Sequence, residues 1–449
     1  MKTLAQHARD LASGSTTSRA LTEEALARIS APGGEGARTF IRVFREAALA
    51  AADASDRLRA AGVVASPLAG IPVSVKDLCD IAGVTTLAGS ATRTAELPAA
   101  HDATVVARLR AAGAVIVGTT NMVEFALGGL GLNPHYGDCR NPWDRATGRI
   151  PGGSSSGAAV SVTDDMAAAA LGTDTMGSVR IPAGLCGLAG FKPTAERVPR
   201  DGIFPLSPTL DSVGPLAHSV ACCALIDAVF AGERPEPPDP VPLAGLRLGI
   251  PKTLVLDDIE APVANAFERA VARLSASGAN IEEFAFPELL EIAEVNRTRG
   301  LSMIECYAIH RRWLGTRASG YDPRILSRMN GAMPISAADY YEVLQLRKDL
   351  VARSHAVTGG YDAVIMPTLP VVAPPIAKFT GSAAGLLDGF PVLIRNTSIA
   401  NFLDRCALTI PCHDPGTGPV GFSLMGERMD DHRLLGIGVS VEAEIGTQR

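Results

Sequence analysis

A chain of 449 residues, 47% hydrophobic and 20% charged, carries enough apolar material for a large buried core. Its formal net charge of -6, its pI near 5.8 and the lack of any clustered Lys/Arg run argue against nucleic-acid or lipid partners and leave a small molecule as the expected ligand. No apolar run approaches the roughly 20 residues that span a bilayer, and charges interrupt the N-terminus where a signal peptide has its apolar centre, so a cytoplasmic location is expected.

In chain order, the N-terminus reads as helix. A second helix follows the cap-rich segment from Ser13 to Ser18, with Leu21, Ala25, Leu26 and Ile29 on one face. IPVSVKD, residues 71–77, is a short apolar strand ending on Lys76. Asp102 is expected to cap a helix running through Leu109, and AAGAVIVGTTN holds a buried strand from Val115 to Gly118. The glycine-rich PGGSSSG, residues 151–157, leads into a small-residue passage from Ala158 to Leu171, and a second glycine-containing loop, GTDTMGSVR, surrounds Ser178. The prolines of GERPEPPDPVPLAG, residues 232–245, exclude helix and interior strand, which makes this segment a connector. Beyond it lie a strand at LRLGI, a helix from about Pro262 to Ser277 and a more helical stretch through Asp349. A strand in YDAVIMPTLP stops at proline, and CALTIPC and PVGFSLMG add further sheet before a C-terminal helix. This alternation predicts an α/β fold with a largely buried sheet. The expected organisation is a single domain over 1–449, with a core of roughly 60–230 and 361–449 and a more helical, substrate-side region at roughly 246–350.

Chemistry concentrates in three places. A lysine at the end of a buried strand is desolvated, which lowers its pKa and makes the neutral amine available as a base; of six lysines, only Lys76 has this setting ahead of both serine loops. Glycines in the two loops let backbone N–H groups approach a substrate oxygen. GSSSG also fits a nucleophile elbow centred on Ser155, but the polar, proline-broken NPWDRATGRIPGG before it is no strand. Neither loop has the ending of a phosphate-binding loop, and no histidine pair has metal-ligand spacing, so no cofactor or metal is expected. The eight cysteines lack a CxxC pair and read as reduced core thiols, including Cys412 beside His413.

IPVSVKD, PGGSSSG and LGTDTMGSVRIPAGLCGLAGFKPT resemble, in this order, the three motif blocks of the amidase signature family. NMVEFALG, YGDCRNPWD, LPVVAPPI and the C-terminal PVGFSLMG extend the resemblance to nearly the whole chain. The resemblance implies an α/β/α layered fold with a large mixed, twisted sheet covered by helices on both faces. It also implies a nucleophile at Ser178, a proton relay at Ser154 after a cis peptide bond, and a base at Lys76. Backbone N–H groups of Thr175, Met176, Gly177 and Ser178 would form the oxyanion hole. Asp174 and Arg180 flank the nucleophile and are expected to brace the loop, the alternative being a charge-binding pair for substrate; Ser155 and Thr173 would hydrogen-bond the lysine, and Glu124 stands as either a substrate contact or a solvated helix face. Met176 departs from the usual glycine, so an ordinary backbone is expected there, with the side chain either narrowing the acyl pocket or packing away. The implied activity is hydrolysis of small, neutral or aryl amides through an acyl-enzyme, with esters and carbamates (urethanes) as further substrates, by a monomer or homodimer. The alternative is the glutaminase component, of the A type, of a tRNA-dependent amidotransferase. Specificity is expected to lie in residues 121–140 and about 285–345.

Overall fold

The computed structural model describes residues 2–298, 300–333, 335–380 and 391–446. Among them, eleven strands form one mixed sheet: β1 (Phe40–Val43), β2 (Pro72–Lys76), β3 (Val115–Thr120), β4 (Ala169–Asp174), β5 (Ala189–Lys192), β6 (Ser212–Ala217), β7 (Arg247–Pro251), β8 (Asn280–Phe284), β9 (Ala363–Pro367), β10 (Ala407–Pro411) and β11 (Gly421–Met425). Their order is β1-β3-β2-β4-β6-β5-β10-β11-β9-β7-β8. Pairing is parallel for β3-β2-β4 and for β9-β7-β8, and antiparallel elsewhere. The parallel strands β2 and β3 are buried along their whole length, which is why both read as apolar runs rather than as alternating ones.

Successive residues of a strand face opposite ways. Ala363 and Ile365 of β9 join one hydrophobic cluster, whereas Val364 and Met366 join another. The first cluster includes Leu225 and Val229 of the helix Val220–Ala231 and Leu434 of the helix Asp431–Ile445; the second includes Leu350 and Phe402 from helices Ala337–Thr358 and Ser398–Phe402. In β3, Ile116 belongs to the first cluster, while Val115 and Val117 pack with Leu26 and Ile29 of the helix Ser18–Ile29. Helices therefore cover both faces, the α/β layering expected.

That N-terminal helix buries Leu21, Ala25, Leu26 and Ile29 as its sequence predicts, and the Thr17 hydroxyl caps it by accepting the Ala20 N–H. Asp102 is a correction. The helix Thr104–Ala111 has no side-chain cap, and Asp102 instead accepts the Ala82 N–H and pairs with Arg110. The connector at 232–245 has no helix or strand. Two strands from the more helical region, β7 and β8, extend the common sheet, while the helices Leu301–Arg317 and Pro323–Asn330 supply Ser302 and Arg328 to a hollow beside Ser178.

Candidate active site

β2 delivers Lys76 and β4 delivers Thr173, and the two strands are hydrogen-bonded neighbours in the sheet. Lys76 has no exposed surface. Its Nζ donates to Ser154 Oγ at 2.8 Å and to Thr173 Oγ1 at 2.9 Å. Desolvation dominates its titration and pushes the ammonium down to about 7, against weaker opposing pulls from Cys79, Asp174 and Asp211. Ser154 follows a cis Gly153–Ser154 bond and is held by the loop around it: its carbonyl accepts the Val123 N–H, and Gly153 N–H donates to Gly129 O at 2.7 Å. Ser155 departs from its expected role. Its Oγ donates to the Thr173 carbonyl at 3.3 Å rather than to Lys76, and it sits fully buried where the helix Ser156–Thr163 begins, with no strand ahead of it.

The turn 175–178 is built around Asp174. This buried carboxylate accepts the N–H groups of Gly177 at 2.8 Å and Val179 at 3.1 Å, and it receives both Nε and Nη2 of Arg180. Burial alone would raise its pKa, but the Arg180 charge and hydrogen bonds outweigh that and hold it at about 2. Asn401 closes the assembly by donating to Asp174 and accepting Arg180 Nη2 at 2.7 Å. Asp174 and Arg180 thus form a buried ion pair that is hydrogen-bonded to the loop backbone. Gly177 is the residue that differs: its N–H is already committed to Asp174, so it is not available to a developing oxyanion. Its φ of +124° and the 2.2 Å separation between a built Cβ and Thr397 Oγ1 require glycine here. Thr397 Oγ1 in turn donates to the Met176 carbonyl at 2.7 Å.

Among the described residues, the N–H groups of Thr175, Met176 and Ser178 have no hydrogen-bond partner. Ser178 retains 7% exposure where Lys76 and Ser154 retain none, so of the three only Ser178 reaches the surface of the site. The two serine loops are stitched together by a bond from Ser155 N–H to the Ser178 carbonyl at 3.3 Å. Met176 adopts an ordinary backbone, and its side chain lines the hollow beside Ser178, where Ser302 Oγ donates to its Sδ at 3.3 Å.

Two openings meet at this turn. A cleft of about 430 Å³ reaches Thr173 and Thr175 from the 195–213 segment, and a narrower hollow touches Ser178, Met176, the 126–129 loop, Ser302 and Arg328. Thr175, Ala126 and Leu206 line both. The two stretches expected to carry specificity therefore both reach the hollow. Glu124 fits neither of its expected roles. It is fully buried, accepting Ser90 Oγ at 2.7 Å, the Asp322 N–H at 2.7 Å and the His135 ring at 2.9 Å, and so ties the core to the start of the helix Pro323–Asn330. Asp211 was not anticipated: buried beside the turn, it accepts Thr175 Oγ1 at 2.5 Å, and desolvation raises it to about 6. All eight cysteines are buried and reduced, and burial pushes the Cys412 thiol up to about 12, which makes it a poor nucleophile. No cluster of metal-ligating side chains occurs among the described residues.

Residues 20–435 match the Amidase family. 2-Amino-5-chloromuconic acid deaminase of Comamonas testosteroni is 39% identical over 89% of this chain and 87% of that protein. The A-type component of the glutamyl-tRNA(Gln) amidotransferase of Chloroflexus aggregans is 37% identical over 95% of this chain and 93% of its own length. A crystal structure described as an amidase superposes with a TM-score of 0.89 at 33% identity, covering 99% of this chain and 100% of that one. No helix among the described residues is long and apolar enough to cross a membrane. With its fold and nearly its whole length matched in these comparisons, the chain belongs to the amidase family and is a hydrolase of amide carbon–nitrogen bonds.

Proposed function

We propose that the whole chain serves one catalytic domain that cleaves small amides through Ser178, Ser154 and Lys76. The observation that carries this reading is Lys76: fully buried, poised near neutrality and hydrogen-bonded to Ser154. A serine hydroxyl is a weak nucleophile until a neighbour takes its proton. Ser154 can donate and accept at once, so it passes the Ser178 proton to neutral Lys76. Ser178 Oγ then bonds to the amide carbon, and the resulting ammonium returns the proton through Ser154 to the nitrogen. The C–N bond breaks, the amine leaves and an acyl ester on Ser178 remains. Water attacks that ester by the same relay, releasing the acid and restoring the hydroxyl.

The oxyanion faces the N–H groups of Thr175, Met176 and Ser178, each worth a factor of about 100 to 1000 in rate. Gly177 serves instead to hold the turn. Esters and carbamates present the same carbonyl to this machinery and are proposed as further substrates. The relative named for a muconic acid favours a small molecule over a macromolecule. The test is intact-mass analysis after a serine-directed fluorophosphonate, followed by peptide mapping. An adduct on Ser178 that disappears in Lys76→Ala is expected, whereas an adduct on Ser155 would overturn the assignment.

The glutaminase component of a larger complex is the second reading, favoured by the likeness to the A-type component of the tRNA-dependent amidotransferase. Turnover of simple amides by the isolated chain supports the amidase, and turnover of glutamine only with partner proteins supports the alternative.

A further inference from the structure

Resting on the reading that the Thr175 N–H faces the oxyanion, we infer that Asp211 and Glu305 are positioning residues for the reaction: a relay of hydrogen bonds from the helix Leu301–Arg317 fixes Thr175 and so sets the rate at which Ser178 reacts. β4 and β6 pair antiparallel, and Asp174↔Ser212 is their last partnership. One step further the chain leaves the sheet, and there Thr175 Oγ1 donates to Asp211 Oδ1 at 2.5 Å. A bond between side chains takes over where the backbone ladder stops. It holds Thr175 in place while leaving its N–H without a partner among the described residues. Both residues are buried, a low-dielectric setting that strengthens the bond.

Asp211 is itself held. Its Oδ2 accepts the N–H groups of Leu206 and Ser207, each at 3.0 Å, and its own N–H donates to the Ser207 carbonyl at 2.8 Å. Ser207 and Thr209 of this loop are gripped from the helix Leu301–Arg317, whose buried Glu305 accepts Ser207 Oγ at 2.5 Å, the Thr209 N–H at 3.1 Å and the Thr209 hydroxyl. Tyr340 of the helix Ala337–Thr358 donates to the same carboxylate at 2.8 Å. Three residues before Glu305, on the same helix face, Ser302 donates to Met176 Sδ. The helix thus reaches Thr175 and Met176, two of the three proposed oxyanion donors, through side chains alone. Neither carboxylate has to touch the substrate for this. Hydrogen bonds to ionised groups are the stronger kind, and three on Asp211 with four on Glu305 over-determine where the loop sits.

The test measures capture of Ser178 by a serine-directed fluorophosphonate, whose phosphoryl oxygen gains charge as Oγ attacks and so draws on the same donors as an amide oxygen. Thr175→Val keeps the N–H and the shape but loses the hydroxyl, and Asp211→Asn loses the charge. Each is expected to slow the maximal capture rate by about 10- to 100-fold, with little change in the probe concentration that gives half of it. Thr175→Ser should recover most of what Thr175→Val loses, and the double variant of Thr175→Val with Asp211→Asn should be no slower than the slower single one. Glu305→Gln should slow capture by a smaller factor and add nothing to Asp211→Asn. Losses that multiply in the double variant, a Thr175→Val or Glu305→Gln rate equal to wild type, or an effect on the half-saturating concentration alone overturns the inference. Should Asp211→Asn not fold, Thr175→Val against Thr175→Ser decides, and equal rates refute the relay. Absence of any Ser178 adduct in the wild type would instead refute the nucleophile assignment beneath it.

Discussion

The ammonium of Lys76 is fully buried between two hydroxyls, and that burial sets its energetics. Its folded pKa of about 7 lies below the ordinary 10.5, so between these values the unfolded chain binds a proton that the folded one does not. The burial penalty is felt in full below pH 7 and fades as pH rises towards 10.5. Lys76→Met should therefore gain stability relative to wild type at pH 6 compared with pH 9.5, by an amount on the order of 1.4 kcal/mol per pKa unit, measured by urea unfolding at both pH values. A pH-independent difference would contradict the buried, depressed lysine. The same group predicts that kcat/KM rises with pH through a midpoint near 7. At Asp174 the sign is opposite. Its pKa is depressed, so its contribution is present above the ordinary 3.8 and lost as pH falls through about 2. Asp174→Asn leaves Arg180 buried without its counter-charge and should cost about 3–5 kcal/mol in unfolding free energy. A loss below about 1 kcal/mol would mean that the pair does not brace the turn. That Lys76 and the two serine loops come together was legible because their motifs stand in order along the chain. The commitment of Gly177 N–H to Asp174 was not, because the turn is locked by Thr397, 221 positions from Met176, and by Asn401, 227 positions from Asp174.

Elements with a local signature were readable. The helix Ala261–Ala276 announces itself through proline in its first turn and through Val263, Ala266, Phe267, Ala270 and Leu274 on its buried face. β6 was hidden because Gly214 and Pro215 argue against an interior strand. It tolerates them because β5 pairs only with Leu216 and Ala217, so Pro215 lies beyond the end of that ladder. Arg328 escaped notice for a similar reason: nothing near it in sequence reveals that its helix comes to lie beside Ser178. The docking of that helix rests on Glu124, which also raises the pKa of His135 through their hydrogen bond. A histidine raised in this way adds stability below pH 6.5 that is lost as pH climbs through its folded value. Glu124→Gln should return His135 towards 6.5 in an NMR titration and raise KM more than it lowers kcat, since the helix bearing Arg328 loses an ionic anchor. An unmoved His135 would show that the two groups are not coupled in solution.

At the scale of the molecule, the sheet is two blocks of sequence laid side by side. β1 to β6 occupy one half and β7 to β11 the other, and they meet only where β5 pairs with β10, through Lys192↔Ala407, Phe191↔Leu408 and Gly190↔Thr409. The connector at 232–245 lies between the blocks in sequence. Strand order of this kind is long-range information that no local pattern encodes, which is why the α/β class could be read and the topology could not. Lys76, Ser154 and Ser178 all belong to the first block, whereas Thr397 and Asn401, which lock the turn, belong to the second. Fragments 1–238 and 239–449, produced separately, should each fail to capture fluorophosphonate and should regain it on mixing. Capture by the first fragment alone would show that the lock is dispensable.

The same arrangement fixes when activity appears during synthesis. A ribosome releases the lysine and both serines more than 200 residues before Thr397 and Asn401, which close the turn. A nascent chain, or one truncated before residue 397, would therefore hold all three proposed reacting groups and is expected to be inert, with hydrolysis beginning only once Thr397 and Asn401 have emerged and docked on the turn.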